Sequence, residues 1–352
     1  MNEQERALVA MSGGVDSAVT AHLIRAAGYD AMGATMRLQH AENACCSEKD
    51  IADAAEIAAR LGMPHEVCDF SVLFEERVVA PFIAAYESGR TPNPCVACNH
   101  HLKFSALYEY GRARGFSLIA TGHYARIRYD EASGRYRLLR AADESKDQSY
   151  VLYHLTQEQL AHTRFPLGEM TKREVRAMAA ALGFPNAEKK DSQDICFIPG
   201  GDYAAFIEAR TGKHYPPGDF VAADGRVLGQ HRGIIRYTIG QRKGLGLALP
   251  APLYVTEVDV AGNRVLLGEE KALYTKTLLA HDINLITAAD WQAPQRLAAR
   301  VRYRQKEQPA TVTLLDEDTL RVEFDEPQRA VTRGQAVVLY DGDVVAGGGI
   351  IA

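Results

Sequence analysis

The chain has 352 residues, of which 47% are hydrophobic and 24% are charged, and its formal net charge is -5. These values are typical of a globular protein with two or three domains. They argue against a surface covered in positive charge, although nucleic-acid binding needs only a local patch. Residues 1–6 are polar and no apolar run is long enough to span a bilayer, so we expect a cytoplasmic protein without a membrane partner.

A glycine turn follows the first apolar run. Residues 7–11 are apolar, residues 12–17 read Ser-Gly-Gly-Val-Asp-Ser, and an amphipathic run from 18 to 27 stops at Gly28. The pattern predicts a strand, a tight turn and a helix. Adjacent glycines let the backbone approach a ligand, and the first N–H groups of a helix lack intrahelical partners, so the turn suits phosphate. A Walker loop would carry a lysine here; this turn instead has Asp16, placed to hold Mg²⁺ on a pyrophosphate.

Strand-like and helix-like segments then alternate through the first 200 residues. The alternation predicts a parallel doubly wound sheet, in which ligands bind beyond the carboxyl ends of the strands. Met36 and Gly122 lie at such ends. The predicted strands are 31–36, 65–68 and 117–121, and the predicted helices are 47–61, 74–86 and 102–114.

Six cysteines lie in the first 200 residues: Cys45, Cys46, Cys68, Cys95, Cys98 and Cys196. In a reducing compartment this clustering favours chemistry or a metal over structural disulfides. Cys95 and Cys98 are three apart in a segment where Pro92 and Pro94 predict a rigid, extended loop rather than a helix. Together with Cys196 the pair admits a redox disulfide, half a zinc site, an iron–sulfur site or sulfur-transfer nucleophiles, zinc being the weakest for want of a fourth ligand. We expect Cys68 to be a packing residue.

Further along, residues 125–129 and 135–140 predict a hairpin, and residues 146–150 are too polar for a core position. Capping boxes are predicted at Thr156 with Gln159 and at Thr171 with Glu174. Beyond residue 200, short alternating runs predict β structure. Basic residues occur among glycines in 225–243. Another basic group alternates with apolar residues, which predicts a strand with four cations on one face: Arg300, Arg302, Arg304 and Lys306.

Residues 12–17 resemble the pyrophosphate loop of the ATP pyrophosphatases, and the whole chain is similar to the bacterial tRNA-specific 2-thiouridylases. The matching blocks are 12–17, 91–99, 121–124, 146–150, 191–198, 237–246 and 302–304. The resemblance implies an α/β doubly wound parallel-sheet nucleotide-binding domain, a small central β-rich domain that contacts tRNA, and a C-terminal β-barrel. We place these domains at 1–200, 201–277 and 278–352.

The resemblance also implies the reaction, in which ATP adenylates the C2 position of the wobble uridine of tRNA for Lys, Glu or Gln. Sulfur from a cysteine persulfide then gives 2-thiouridine, AMP and pyrophosphate. The implied cofactors are ATP and Mg²⁺, with Asp16 as the magnesium ligand. The residues implied to bind ATP are Ala10, Met11, Ser12, Gly13, Gly14, Val15, Asp16 and Ser17, with Met36 and Gly122 near the adenosine.

In the same family scheme Cys196 carries a persulfide supplied by a sulfur-relay protein or by cysteine-desulfurase-derived sulfur. Cys98 attacks it, either releasing hydrosulfide or leaving a disulfide to Cys196. The residues implied to frame the flipped-out base are Asn93, Pro94 and Cys95. The implied tRNA contacts are His123, Lys146, Asp147, Gln148, Tyr303, Arg304 and Gln335. We expect a monomer when the protein is not bound to tRNA.

One position departs from the family pattern, because many members have Asp where this chain has Cys95. A thiol is a poor substitute for a carboxylate in acid–base chemistry. An alternative hypothesis is therefore a four-iron four-sulfur cluster held by Cys95, Cys98 and Cys196, with the open iron carrying hydrosulfide. Two other functions stay open: an ATP pyrophosphatase that modifies a different RNA base or a small molecule, and a nucleotide-responsive RNA-binding module without catalysis.

Overall fold

The computed structural model describes residues 5–40, 47–189, 195–198 and 200–352. Cys45, Cys46 and residues 191–194 of one matching block lie outside the described residues. Within the described part of the chain, no helix has both the length and the apolar character needed to cross a membrane.

The α-helices are α1 (Val15–Ala26), α2 (Glu48–Arg60), α3 (Ser71–Phe74), α4 (Ala80–Glu87), α5 (Pro94–Cys98), α6 (Leu107–Arg112), α7 (Gln157–Ala161), α8 (Lys172–Ala181) and α9 (Tyr203–Thr211). Two π-helical segments are Glu75–Val79 and Asn99–Ala106, and three 3-10 segments are Ser149–Leu152, Ile234–Arg236 and Glu270–Leu273. The strands are β1 (Arg6–Ala10), β2 (Asp30–Arg37), β3 (His65–Asp69), β4 (Leu118–Ala120), β5 (Ala125–Asp130), β6 (Arg135–Arg140), β7 (Thr163–Arg164), β8 (Gly218–Ala222), β9 (Val227–His231), β10 (Tyr254–Asp259), β11 (Arg264–Gly268), β12 (Tyr274–Leu285), β13 (Gln295–Arg300), β14 (Gln308–Asp316), β15 (Thr319–Arg329), β16 (Ala336–Asp341) and β17 (Val344–Ile351).

The chain divides into two compact units, and the first contains the described residues within 1–78, 94–199 and 342–346. Its sheet has the strand order β3-β2-β1-β4-β7, with every neighbouring pair parallel. The order changes direction between β1 and β4, and a parallel sheet binds its ligands beyond the carboxyl ends of the strands at such a point. The predicted doubly wound sheet is therefore confirmed, and the turns after β1 and β4 flank its expected ligand site.

Local sequence signals fix the helices of this unit. The predicted capping boxes are present, Thr156 with Gln159 at α7 and Thr171 with Glu174 at α8, and Ser47 with Asp50 forms another at α2. Apolar residues three or four apart on α2 and α8 form buried faces that pack into the same core as α1 and β1. Residues that make this core include Val9, Val19, Ile57 and Val175.

The predicted hairpin is also confirmed, since β5 and β6 pair as antiparallel strands. The neighbouring prediction, that residues 146–150 are too polar for the core, is wrong. Asp147, Ser149 and Tyr150 are buried. The Asp147 carboxylate accepts hydrogen bonds from the backbone N–H groups of Ala141 and Ser149 and from the Ser149 hydroxyl. A polar side chain can be buried when it is hydrogen-bonded in this way.

The predicted extended loop around the paired cysteines is wrong as well. Pro94 begins the short helix α5, which contains both Cys95 and Cys98 and continues into a π-helical segment. Proline is favoured in the first turn of a helix because its missing N–H is one that would have no intrahelical partner there. The predicted helices at 74–86 and 102–114 likewise contain π-helical turns, at Glu75–Val79 and within Asn99–Ala106.

The second unit contains the described residues within 79–93, 200–341 and 347–352. A four-stranded sheet has the order β10-β11-β8-β9, and β12, β15, β14, β13, β16 and β17 close into a barrel through the pairing of β12 with β17. The β structure predicted beyond residue 200 is confirmed, except that α9 was missed. Asp202 caps that helix by accepting a hydrogen bond from the Ala205 N–H, and Gly212 ends it at φ 66°.

The predicted strand with four cations on one face is wrong. β13 ends at Arg300, and the residues that follow form bends and turns. The Arg302 guanidinium donates to the carbonyl oxygen of Ala330 and to the Thr332 hydroxyl, so this cation is used inside the unit. Arg304 and Lys306 are exposed and remain available to a ligand.

Candidate active site

The turn after β1 has the geometry of a phosphate-binding loop. Gly13 has φ +70°, a conformation that favours glycine, and Gly14 is extended at the N-cap of α1. The Ser17 hydroxyl closes the turn by accepting a hydrogen bond from the Ser12 N–H at 3.1 Å and donating to the Gly14 carbonyl oxygen at 2.9 Å. The loop is therefore shaped by its own residues.

The amino end of α1 differs from that of the other long helices in the first unit. Side chains cap α2 and α8, whereas no side chain of the described residues caps α1. The first N–H groups of a helix carry partial positive charge and need acceptors. This end of α1 thus has the electrostatic character of an anion site.

A polar cluster of Asn186, Lys189, Asp50 and Asp53 supports the loop at Gly13. The Gly13 carbonyl oxygen accepts hydrogen bonds from the Asn186 amide at 3.0 Å and from the Lys189 ammonium at 3.1 Å. Lys189 also binds Asp50 at 2.5 Å and Asp53 at 3.0 Å. Burial alone lowers the pKa of Lys189, but these two carboxylates outweigh it and raise the pKa, so the lysine stays charged. Asn186 and Lys189 are in this way fastened to the loop.

Asp16 lies in the first turn of α1 among polar partners. Its carboxylate accepts hydrogen bonds from the Tyr124 hydroxyl at 2.8 Å and from the Lys172 ammonium at 2.7 and 2.8 Å. Gly122 packs directly against it, because a Cβ at Gly122 would lie 2.9 Å from the Asp16 carbonyl carbon. The turns that follow β1 and β4 therefore meet at Asp16.

A second part of the candidate site contains the thiols of Cys95, Cys98 and Cys196. Cys95 and Cys196 keep exposed surface, and Cys98 is partly buried one helical turn from Cys95. Although Cys95 has exposed surface, the protein around it desolvates the thiol and raises its pKa, and charge on Cys196 raises it further. The Lys103 ammonium acts in the opposite direction. Cys196 and Lys103 are thus close enough to Cys95 to affect the pKa of its thiol.

His123 joins the two parts of the site. Its Nε2 lies 3.5 Å from the Lys103 ammonium and its Nδ1 lies 2.7 Å from the Thr121 hydroxyl. Because an ammonium can only donate, Nε2 accepts and the proton is assigned to Nδ1. Burial, reinforced by Lys103, holds the pKa of His123 well below its usual value, so the imidazole is neutral. A neutral, buried ring can orient Lys103 without carrying charge itself.

Replacing Lys103 with methionine is expected to slow alkylation of Cys95 by iodoacetamide at a fixed mildly alkaline pH by roughly two- to tenfold. Without the ammonium, the pKa of the Cys95 thiol rises further, and less thiolate is present. Lys103→Arg keeps the charge and is the matched control. Peptide mass spectrometry measures modification of Cys95 over time. Equal rates for the methionine variant and the unchanged protein would contradict the effect of Lys103 on this thiol.

The other predicted site residues lie in different surroundings. Met36 is buried on β2, and the Gln148 side-chain oxygen accepts a hydrogen bond from the Tyr124 N–H at 3.0 Å. In the second unit, Gln335 donates to the carbonyl oxygens of Thr91 and Pro92 at 2.8 and 3.3 Å. Tyr303 and Arg304 are exposed there. The roles in binding adenosine or tRNA stay predictions for Met36, Gly122, His123, Lys146, Asp147, Gln148, Tyr303, Arg304 and Gln335.

The side-chain positions distinguish between the two predicted metal sites. Among the described residues, which include Cys95, Cys98 and Cys196, no group of three His, Cys, Asp or Glu side chains is arranged to hold a metal ion. The three thiols as placed therefore do not fit an iron–sulfur cluster. Mg²⁺ usually takes only one or two protein carboxylates together with substrate phosphates, so Asp16 fits a magnesium ligand without such a group.

Sequence reasoning missed the lysines of the site. Lys103, Lys172 and Lys189 contact residues that are far from them in the chain, and only Lys172 carries a local signal. It is the first residue of α8, where the positive end of the helix disfavours a cation. A lysine in that position indicates an anionic partner from elsewhere in the fold.

Comparisons with known proteins cover nearly the whole chain. Residues 5–200 match the family model described as tRNA methyl transferase HUP domain. Residues 204–269 match the tRNA methyl transferase PRC-barrel domain, and residues 275–351 match the aminomethyltransferase beta-barrel domain. The predicted order of an α/β domain, a β-rich domain and a C-terminal barrel is therefore confirmed.

Three curated relatives carry the name tRNA-specific 2-thiouridylase MnmA. That of Moorella thermoacetica is 50% identical over 351 residues, covering 98% of each chain. That of Acetivibrio thermocellus is 47% identical over 356 residues, covering 99% of each chain. That of Clostridioides difficile is 45% identical over 353 residues, covering 99% of this chain and 98% of the relative. The resemblance seen in the sequence blocks is confirmed: the chain belongs to the MnmA family of tRNA-specific 2-thiouridylases.

Proposed function

We propose that the protein is an ATP-dependent tRNA-uridine 2-sulfurtransferase. It adenylates the C2 oxygen of the wobble uridine of tRNA for Lys, Glu or Gln and replaces that oxygen with sulfur. The products are 2-thiouridine, AMP and pyrophosphate. ATP binds at residues 10–17, Asp16 holds Mg²⁺, and the thiols deliver sulfur.

The observation that carries this proposal is a series of contacts from the phosphate loop to Lys103, together with the electrostatic effect of Lys103 on the thiol of Cys95. Asp16 packs against Gly122, the next residue His123 contacts Lys103, and Lys103 acts on the thiol of Cys95. Cys95 in turn lies near Cys196. Thiolation needs an activated carbon and an incoming sulfur at one place, and this series supports a site in which the phosphate loop and the thiols act together.

In the first step the uridine C2 oxygen attacks the α-phosphate, and pyrophosphate leaves. The backbone N–H groups at the start of α1 suit the charge on the phosphates, and Mg²⁺ on Asp16 would neutralise part of it. The adenylated oxygen is then able to depart as part of AMP.

In the second step the outer sulfur of a Cys196 persulfide attacks C2 with its electron pair, and AMP leaves with the oxygen. The Cys98 thiolate attacks the inner sulfur of Cys196, which breaks the persulfide bond and leaves the outer sulfur on the uridine. A disulfide between Cys98 and Cys196 remains, and a dithiol reductant has to reduce it before the next turnover. The thiols as placed do not fit an iron–sulfur cluster, so the proposed source of sulfur is the persulfide.

Cys95 stands at the position that departs from the family pattern implied by the sequence resemblance. The thiol of Cys95 has a raised pKa, so it stays protonated at neutral pH and is able to donate a hydrogen bond to the target base, which Asn93 and Pro94 also frame. The Lys103 ammonium, which acts on the Cys95 thiol, supplies a positive charge to this part of the site. On this proposal Cys95 positions the base and does not act as a nucleophile.

The remaining assignments concern partners and organisation. Exposed Arg304 and Lys306 give the second unit a cationic surface for the tRNA backbone, and Tyr303 is exposed beside Arg304. A sulfur-relay protein or desulfurase supplies the persulfide, and the protein is a monomer when it is not bound to tRNA. The proposed domain boundaries of 1–200, 201–277 and 278–352 are supported by the ranges of the three family models.

Nucleoside mass spectrometry tests the function directly. The protein is incubated with unmodified tRNA, ATP, Mg²⁺ and a persulfide donor, and the digested tRNA is analysed. We expect 2-thiouridine at the wobble position, with AMP formed in equal amount. A methylated nucleoside, or a thiolated base at another position, would contradict the proposal, and omission of ATP is the control.

A further inference from the structure

A lysine from a distant helix reaches the phosphate loop, which contains none of its own. The ammonium of Lys172 binds both carboxylate oxygens of Asp16, at 2.7 and 2.8 Å, across 156 positions of the sequence. Its side chain is only 12% exposed. In a Walker loop the lysine that contacts the phosphates belongs to the loop itself. Here the cation nearest to that role comes from the start of α8.

We propose that Lys172 is a phosphate-binding residue of the ATP site, and this inference rests on the proposed function. With no nucleotide bound, Asp16 neutralises the ammonium. When ATP occupies the loop, its phosphate oxygens replace the Asp16 carboxylate as partners of the Lys172 ammonium. Asp16 then becomes available to Mg²⁺. The lysine then stabilises the charge that gathers on pyrophosphate as it leaves.

The contacts of the two lysines at the loop distinguish their roles. Lys189 bridges two carboxylates, Asp50 and Asp53, and also donates to the Gly13 carbonyl oxygen, so its charge is already balanced and it braces the loop. Lys172 binds the carboxylate of Asp16, which the Tyr124 hydroxyl also contacts. Tyr124 continues to support Asp16 when the lysine turns to a phosphate.

The position of Lys172 on α8 also supports a phosphate-binding role. The Thr171 capping box fixes the start of this helix, and the Asp143 carboxylate accepts a hydrogen bond from the Lys172 backbone N–H at 3.0 Å. The backbone is therefore held while the side chain extends to the loop. A cation in the first turn of a helix is disfavoured by the helix dipole. This repulsion favours transfer of the ammonium to a ligand with more negative charge than one carboxylate.

Titration calorimetry with ATP and Mg²⁺ tests the proposal, and adenosine is the second ligand. Lys172→Met is expected to weaken ATP binding by about 10- to 100-fold, the usual effect of losing a charge-assisted hydrogen bond. Adenosine lacks phosphates, so its affinity should stay unchanged. Arg173→Met removes one cation from the next, exposed position of the same helix and is the matched control.

Each outcome bears on the proposal. If Lys172→Met binds ATP as tightly as Arg173→Met does, or loses ATP and adenosine affinity equally, Lys172 is not a phosphate ligand. If the unchanged protein does not bind ATP, the proposed function fails together with this inference. Circular dichroism checks folding. If the methionine variant unfolds, Lys172→Gln, which keeps a hydrogen-bond donor for Asp16, serves for the same comparison.

Discussion

Replacing Cys98 with serine is expected to abolish 2-thiouridine formation, by at least about a thousandfold, while ATP affinity stays unchanged. The hydroxyl of serine does not ionise near neutral pH, so it cannot attack the inner sulfur of the Cys196 persulfide. The proposed ATP site is the loop after β1, which this substitution does not touch. Nucleoside mass spectrometry measures the thiolation, and titration calorimetry measures the ATP affinity.

Cys68→Ala is the control for this experiment, because it removes a thiol of the same unit that is buried on β3. We expect this variant, once its folding is verified, to thiolate tRNA at the rate of the unchanged protein. Thiouridine formed by Cys98→Ser at an undiminished rate would show that the residue is not the attacking thiol. Loss of ATP binding in the same variant would instead place Cys98 in the nucleotide site.

Replacing Gly13 with alanine is expected to lower the free energy of unfolding by at least about 2 kcal/mol and to eliminate ATP binding. Gly13 has φ +70°, which L-residues rarely adopt, and a Cβ there would overlap the carbonyl oxygen of Asp50. The overlapping atom belongs to the backbone of α2, so no side-chain rotation can relieve the contact. The loop would have to move away from the helix that supports it.

The adjacent glycine is the matched control. Gly14 has φ -92°, and the nearest atom to an added Cβ is the Ser12 side-chain oxygen at 3.5 Å, an ordinary contact. We expect Gly14→Ala to change the free energy of unfolding by less than about 1 kcal/mol. Urea denaturation measures both variants. Equal losses of stability would mean that the conformation of Gly13 does not hold the loop in place.

The parts of the fold that were predicted correctly are those with local causes. A capping box links residues only three apart, and the glycine turn before α1 combines a strand, two glycines and a helix within about twenty residues. All the residues that make up such a signal lie close together in the sequence. Pro94 was misread because proline is compatible with both an extended segment and the first turn of a helix, and the residues around it do not separate these two states.

The errors at Arg302 and Asp147 arise from partners elsewhere in the fold. An alternating pattern around Arg302 satisfies the period of a strand, yet its guanidinium is bound by Ala330 and Thr332, almost thirty positions later. Asp147 is buried because backbone N–H groups satisfy its carboxylate. The site lysines were missed for the same reason, as Lys172 contacts Asp16 across 156 positions of the sequence. Tertiary contacts of this range leave no periodic trace in a sequence.

The interleaving of the two units has a consequence for synthesis on the ribosome. Residues 342–346 belong to the first unit, where Val344 pairs with Leu139. Translation at about 5–20 residues per second separates the emergence of these two residues by roughly 10–40 s. Throughout that interval the nascent chain exposes the edge of β6, which is an opportunity for mispairing. A message truncated before β17 would therefore yield a nucleotide-binding half with an open edge, a substrate for chaperones and proteases instead of a smaller enzyme.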